Sequence, residues 1–147
     1  MPTRNATAAW EGGLQKGKGN FQGESGAVGG SYSFGTRFGE EKGTNPEELL
    51  AAAEAACFSM ALSGALEKEG ATPTKVETRA SCTVEKQGPG FKITTMKLVV
   101  RATASNIDEA KFQQVAQATK AGCPVSVALA GVKIDVEATL ERQTANV

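Results

Sequence analysis

From Leu49 to Leu66 the chain is apolar or small on almost every helical face. Its most apolar stretch is Leu49-Leu50-Ala51-Ala52-Ala53-Glu54-Ala55-Ala56-Cys57-Phe58-Ser59-Met60-Ala61-Leu62. A helix of that kind is not a surface helix; it is buried, either centrally or between subunits. Its start is legible in Thr44-Asn45-Pro46-Glu47-Glu48, where Asn45 caps, Pro46 takes the first helical position and Glu48 stands three residues after the cap. Both glutamates also suit the positive end of the helix dipole. Glu67-Lys68-Glu69-Gly70 returns the helix to water and stops it.

The segments on either side read as strands and shorter helices. Residues 12–43 hold eleven of the seventeen glycines, with apolar beats at Leu14, Phe21, Val28, Tyr32, Phe34 and Phe38. That spacing suits short strands joined by turns, with residues 6–11 as a first strand of a β-meander. After the long helix, Val76, Thr78, Ala80, Cys82 and Val84 alternate with polar residues, the mark of a half-buried strand. Gln87-Gly88-Pro89-Gly90 turns the chain, and residues 91–102 return as the hairpin partner. Residues 108–121 read as an amphipathic helix with Phe112, Val115, Ala116 and Thr119 inward, ended by Gly122. Cys123-Pro124 restarts a short helix that Gly131 ends, and Val132, Ile134, Val136, Ala138 and Leu140 alternate along a last strand. The tail after Glu141 is expected to be loose. Strands and helices in blocks define an α+β chain with largely antiparallel pairing.

Composition narrows the function. The chain has 147 residues, the size of one domain, with 16 basic and 16 acidic side chains. Zero net charge provides no electrostatic footprint for nucleic acid or an anionic membrane. No apolar run looks long and pure enough to span a bilayer, and the start is too polar for a secretory signal, so the expected location is the cytoplasm. Three widely spaced cysteines resemble neither a disulfide scaffold nor a zinc site, and there is no histidine to complete a metal shell. Metal and other bound cofactors are therefore not expected.

The absence of histidine also bears on the cysteines, because neither can be activated by an imidazole. On helix context alone Cys57 is a small core residue, and burial alone would raise its pKa and make it inert. It becomes a nucleophile only if a cation reaches it. Cys123 stands at a helix start, where backbone N–H groups and the dipole favour thiolate. Together they suggest an attacking and a resolving thiol, provided the fold brings their Cα atoms within ~7 Å. Cys82, on the apolar face of a strand, is assigned to the core. Arg37, in Gly35-Thr36-Arg37-Phe38-Gly39, keeps its charge even in a dry pocket and so suits thiolate stabilisation, with Glu47 able to hold it in a bidentate pair. Glu47 also serves the helix dipole whatever else it does.

Three segments carry a specific resemblance. Gly43-Thr44-Asn45-Pro46-Glu47-Glu48-Leu49-Leu50, Ala55-Ala56-Cys57-Phe58-Ser59-Met60-Ala61 and Lys120-Ala121-Gly122-Cys123-Pro124-Val125-Ser126 resemble the motifs of the OsmC/Ohr family, the osmotically inducible and organic hydroperoxide resistance proteins. Trp10-Glu11-Gly12, Gly17-Lys18-Gly19 and Thr36-Arg37-Phe38 point to the OsmC branch. The resemblance covers nearly the whole chain. It implies a single OsmC-like domain over residues 1–147, an intertwined homodimer with central buried helices, and active sites at the subunit interface. It also implies a cysteine-dependent peroxidase for organic hydroperoxides. Cys57 falls on the peroxidatic cysteine, Cys123 on the resolving one, and Arg37 and Glu47 on the activating pair. An external dithiol, of the lipoyl type, is the implied reductant. The sequence departs from the family at Glu54, where OsmC-type chains often carry histidine; a carboxylate there opposes thiolate formation unless it is paired or turned away.

Helix arithmetic adds a constraint. Glu47 and Cys57 are ten residues apart, ~15 Å along a continuous helix. Both can serve one sulfur only if the helix breaks early or if Glu47 comes from a second chain, and the all-round apolarity of the helix favours the second chain. The expected function is thiol-peroxidase defence against oxidative and osmotic stress, with Phe34, Phe38, Phe58 and Met60 as the apolar lining for an organic substrate. Two other classes fit the same residues: a redox sensor whose disulfide alters a partner interaction, and a non-enzymatic stress or ligand-binding dimer whose cysteines merely pack.

Overall fold

The computed structural model describes residues 1–142, which form two compact units, Met1–Leu49 and the chain from Leu50 onward. The expected loose tail lies almost entirely outside the described residues.

The first unit is the meander that the glycine spacing predicts. Strands β1 (Ala6–Glu11), β2 (Lys18–Gly23) and β3 (Gly29–Tyr32) pair antiparallel in that order. Gly19 faces Trp10 on one side and Tyr32 on the other, and the two rings meet across it with centroids 5.4 Å apart. A β-carbon on Gly19 would stand 2.6 Å from the Tyr32 ring and 2.7 Å from the Trp10 ring, so the absent side chain is what lets the aromatics close.

One expectation fails here. Phe34 and Phe38 are not strand residues; they begin and end a short helix, α1 (Phe34–Phe38). Ser33 caps it, accepting from the Thr36 N–H while the Thr36 hydroxyl accepts from the Ser33 N–H. This reciprocal box uses threonine in place of the usual Glu or Gln, so it was not legible as a helix start.

Helix α2 (Pro46–Lys68) begins as read: Asn45 Oδ1 accepts from the Glu48 N–H at 2.8 Å. It ends with Gly70 at φ +82°, where the Ala71 and Gly70 N–H groups return to the carbonyls of Leu66 and Glu67. That is a Schellman stop, which only a left-handed residue can make at low cost. By length and composition α2 is long and apolar enough to cross a membrane, contrary to the sequence expectation. Its buried row, however, is Glu54, Phe58, Leu62 and Leu66, four residues apart, and the three hydrophobes lie in a protein core. Burial on every face is also not what the single chain provides. Ala52, Ala53 and Ala56 are exposed, and Met60 is 81% exposed.

The second unit surrounds that row. Strands β4 (Thr72–Gln87) and β5 (Gly90–Ser105) form the expected long hairpin, turning through Gly88 at φ +58° and Pro89. Met96, Leu98, Val100, Ala102 and Ala104 on β5 are buried, while the inward face of the edge strand β4 is only half-buried. Helix α3 (Glu109–Gly122) is capped by Asp108 and buries Phe112, Val115, Ala116 and Thr119, as predicted. Helix α4 (Pro124–Ala128) is shorter than predicted, ending before Gly131, and β6 (Lys133–Glu141) closes the sheet. β6 runs parallel to β5, the one departure from antiparallel pairing among the described strands. The physical reason is the crossover: α3 and α4 carry the chain back to the starting end of β5, which a hairpin cannot do. Three side chains of α3 then seal the outer edge of β6. Gln113 donates to the Ala138 carbonyl, Gln117 to Val136 and Lys120 to Ile134, at 2.8, 3.0 and 3.1 Å. Three of the β6 carbonyls that an edge strand would otherwise leave open to association are thereby occupied.

Gly19→Val should push the Trp10 and Tyr32 rings apart and destabilise the first unit by about 1–3 kcal/mol. Urea unfolding followed by fluorescence of Trp10, the chain's single tryptophan, measures this. A variant with wild-type midpoint and emission maximum would contradict the packing described.

Candidate active site

In the second unit the fold brings together two cysteines far apart in sequence. Cys57 lies beside the buried row of α2, one position before Phe58, and Cys123 is the residue between α3 and α4, fully buried. Their sulfurs are 3.0 Å apart, in hydrogen-bonding contact, and both thiols are free. A disulfide needs only a further approach to about 2.05 Å. The two sulfurs, whose separation the sequence left open, are thus in contact. Cys82 sits on the inward face of β4 against the core, as read.

The surroundings of Cys57 push its pKa up. Burial contributes most, followed by the hydrogen bond with Cys123; the charges of Cys123 and Glu54 act in the same direction. The Val125 backbone N–H works the other way by bonding the sulfur. Cys123, at the start of α4, makes no side-chain capping bond.

Glu54 is fully buried, and its Oε1 accepts from the Ser126 hydroxyl. Among the described residues its Oε2 has no hydrogen-bond partner and no basic side chain pairs with it. Its charge raises the Cys57 pKa, as the smallest of the contributing causes. Val125 and Ser126 were part of a recognised motif but received no role. The available signal for Ser126 was its spacing, one helical turn after Cys123.

In the first unit, Arg37 and Glu47 form an ion pair, Nε to Oε1 at 2.9 Å. The pair is single rather than the bidentate fork expected, and Glu47 Oε2 is buried without a partner among the described residues. Glu47 is almost wholly buried, whereas the Arg37 side chain is 38% exposed. Asn45 explains how the two meet. Its amide caps α2 through Oδ1 and donates from Nδ2 to the Thr36 carbonyl of α1 at 3.0 Å, so the residues next to Arg37 and Glu47 are tied together. Arg37 also lies over the Phe38 ring, 5.0 Å from its centroid. Trp10, Leu14, Tyr32, Phe34 and Phe38 line a cavity of about 220 Å³ with Arg37 at its wall. Of the expected apolar lining, Phe34 and Phe38 are there. Phe58 is not: it is 0% exposed in the core of the second unit.

The α+β chain thus carries a close thiol pair in one unit and an arginine anchored by a buried carboxylate in the other. The sequence matches the family of OsmC-like proteins over residues 39–137. The chain is 47% identical over 127 residues to peroxiredoxin OsmC of Escherichia coli (strain K12), covering 86% of this chain and 89% of that protein. It is 36% identical over 102 residues to the organic hydroperoxide resistance protein OhrB of Bacillus subtilis (strain 168), covering 69% and 72%. In fold it is similar to the crystal structure of an organic hydroperoxide resistance protein from Elizabethkingia anophelis, with TM-score 0.70, 24% identity and coverage of 97% and 98%. This chain is a member of the OsmC-like protein family.

Because the Glu54 charge raises the Cys57 pKa, Glu54→Gln should lower the pH at which Cys57 becomes thiolate. The pH profile of iodoacetamide alkylation, read at Cys57 by peptide mass, should shift to lower pH. An unchanged or upward shift would show that the carboxylate does not act on this sulfur.

Proposed function

We propose that this chain is a cysteine-dependent peroxidase that reduces organic hydroperoxides to alcohols in oxidative and osmotic stress defence. The observation that carries the reading is the 3.0 Å approach of Cys57 and Cys123 sulfurs across 66 residues of sequence. The names of the relatives, a peroxiredoxin and hydroperoxide resistance proteins, support it.

In this reading the Cys57 thiolate attacks the terminal peroxide oxygen. The O–O bond breaks, the alkoxide takes a proton and leaves as alcohol, and the sulfur becomes a sulfenic acid. Cys123 condenses with it, forming the disulfide and releasing water. An external dithiol of the lipoyl type then restores both thiols by exchange, and no bound metal or other cofactor takes part.

The first step needs a thiolate, and within its own unit Cys57 is held toward the thiol form. A cation must be brought to it. Arg37 is suited to this because Glu47 engages only Nε and leaves the terminal nitrogens uncommitted to the carboxylate. The apolar cavity at its wall suits an alkyl chain better than hydrogen peroxide. Helix α2 is unbroken from Pro46 to Lys68, so an early break does not bring Glu47 to Cys57. We therefore assign the activating Arg37–Glu47 pair to a second copy of the chain. The exposed row Ala52, Ala53, Ala56 and Met60 supports such a homodimer, since small residues let two helices approach closely. In that assembly residues 1–147 act as one OsmC-like domain, placed in the cytoplasm, with neither nucleic acid nor membrane as partner.

Stoichiometric cumene hydroperoxide should remove two thiols from the reduced protein, and Cys57→Ser should abolish the loss. Arg37→Ala should slow the oxidation of Cys57 by tenfold or more, as expected from a thiolate pKa raised by about one unit. Hydrogen peroxide should react more slowly than the bulky hydroperoxide. No thiol loss at all would favour the packing dimer, and a single slow oxidation that dithiols do not reverse would favour the redox sensor. Sedimentation at micromolar concentration should show a dimer, which Met60→Glu weakens; a wild-type monomer would remove the second-chain assignment.

A further inference from the structure

The proposed chemistry gives no part to Glu54, although it is a fully buried carboxylate close to the reacting sulfur. Its charge works against the first step. A buried carboxylate with one hydrogen bond and one unpartnered oxygen is also a costly way to hold two helices together. Its geometry suggests where it is useful. Glu54 stands one helical turn before Cys57 on α2, and Ser126 stands one turn after Cys123 on α4. The Ser126 hydroxyl donates to Glu54 Oε1, and Ser126 is itself only 3% exposed. The bond thus ties the two cysteine-bearing elements at a point one turn from each sulfur, on the buried side of both. α4 has only five residues, too few to hold its own orientation. Its direction relative to α2 must come from tertiary contacts, and this is a directional one.

We propose that Glu54 and Ser126 form a positioning pair that presents Cys123 to Cys57 and so sets the efficiency of disulfide closure, not of peroxide attack. The step itself rests on the reading above. With Cys57 as sulfenic acid, the Cys123 sulfur attacks the Cys57 sulfur, the S–S bond forms as the S–O bond breaks, and the thiol proton leaves with the hydroxide as water. Holding the sulfurs in contact converts this into a step of high effective concentration. Glu54 has opposite effects on the two steps: its charge hinders thiolate formation at Cys57, and its hydrogen bond promotes closure.

The two effects separate by substitution. Ser126→Ala removes the donor and leaves the charge. Glu54→Met removes the acceptor at similar length. Glu54→Gln removes the charge but keeps an oxygen that accepts from Ser126. Each purified protein is equilibrated with reduced and oxidised glutathione, and the Cys57–Cys123 disulfide fraction is counted by thiol alkylation and mass spectrometry, with folding checked by circular dichroism. Ser126→Ala and Glu54→Met should each lower the effective concentration of the thiol pair about tenfold, a shift of about 30 mV toward easier reduction. Glu54→Gln should stay within about twofold of wild type. If Ser126→Ala does not fold, Glu54→Met decides alone. Wild-type equilibria in the folded Ser126→Ala and Glu54→Met proteins would overturn the proposal, as would a Glu54→Gln as poor as Glu54→Met. In a second arm, dimedone added after cumene hydroperoxide should trap more sulfenic acid in Ser126→Ala than in wild type. If the hydroperoxide oxidises no thiol in the wild type, the peroxidase reading falls, while the glutathione equilibrium still decides the role of the pair.

Discussion

The azimuth of α2 on the β5 face of the second unit governs what the rest of the molecule can do. Phe58, Leu62 and Leu66 form one row of the helix and share a core with Met96, Leu98, Val100 and Ala102. Each such side chain contributes on the order of 1.5–3 kcal/mol when fully buried. Rotating the helix by one residue position would expose all of them. With the row fixed, the other positions have no freedom. Glu54 is carried into the interior because it is four residues before Phe58. Cys57 comes to the border of the core, where Cys123 meets it. Ala52, Ala53, Ala56 and Met60 are turned out to solvent.

This ordering explains why a buried carboxylate sits near the Cys57 sulfur. Hydrophobic packing decides the rotation of the helix, and a single carboxylate on the packed row must follow. Its cost is lowered by the Ser126 hydroxyl, and the same bond aligns the two cysteine-bearing elements. The Arg37–Glu47 pair has the complementary character. There a buried carboxylate is matched by a guanidinium that stays partly exposed. Asn45 links the segments that carry them by capping one helix and donating to the Thr36 carbonyl of the other. One unit thus holds a close thiol pair, and the other an arginine held by a buried carboxylate and placed against an apolar cavity.

Much of the architecture was legible because local signals were strong. The Asn45-Pro46 start, the Gly70 stop, the Gly88-Pro89 turn and the inward faces of β4, α3 and β6 follow from capping chemistry and two periodicities. Where structure and sequence differ, the causes are specific. Phe34–Phe38 reads as strand because a Ser-Thr capping box lacks the usual acidic partner. The parallel placement of β6 depends on where α3 and α4 deliver the chain, and no local pattern encodes that. Phe58 reads in sequence as apolar lining beside Cys57, but the helix turns it about 100° away from Cys57, into the core.

The sequence by itself determined which residues are chemically capable: two cysteines in recognisable motifs, an arginine that cannot lose its charge, and no histidine to compete with it. It determined the helix ends too, since caps are local hydrogen bonds. Tertiary structure alone decided proximity and direction. It brought sulfurs 66 residues apart in sequence to 3.0 Å and made the Arg37–Glu47 pair single-toothed. The reason is physical. Distances between remote residues, and the side of a helix that faces a core, are set by how all the apolar rows pack at once, and no short stretch of sequence contains that information.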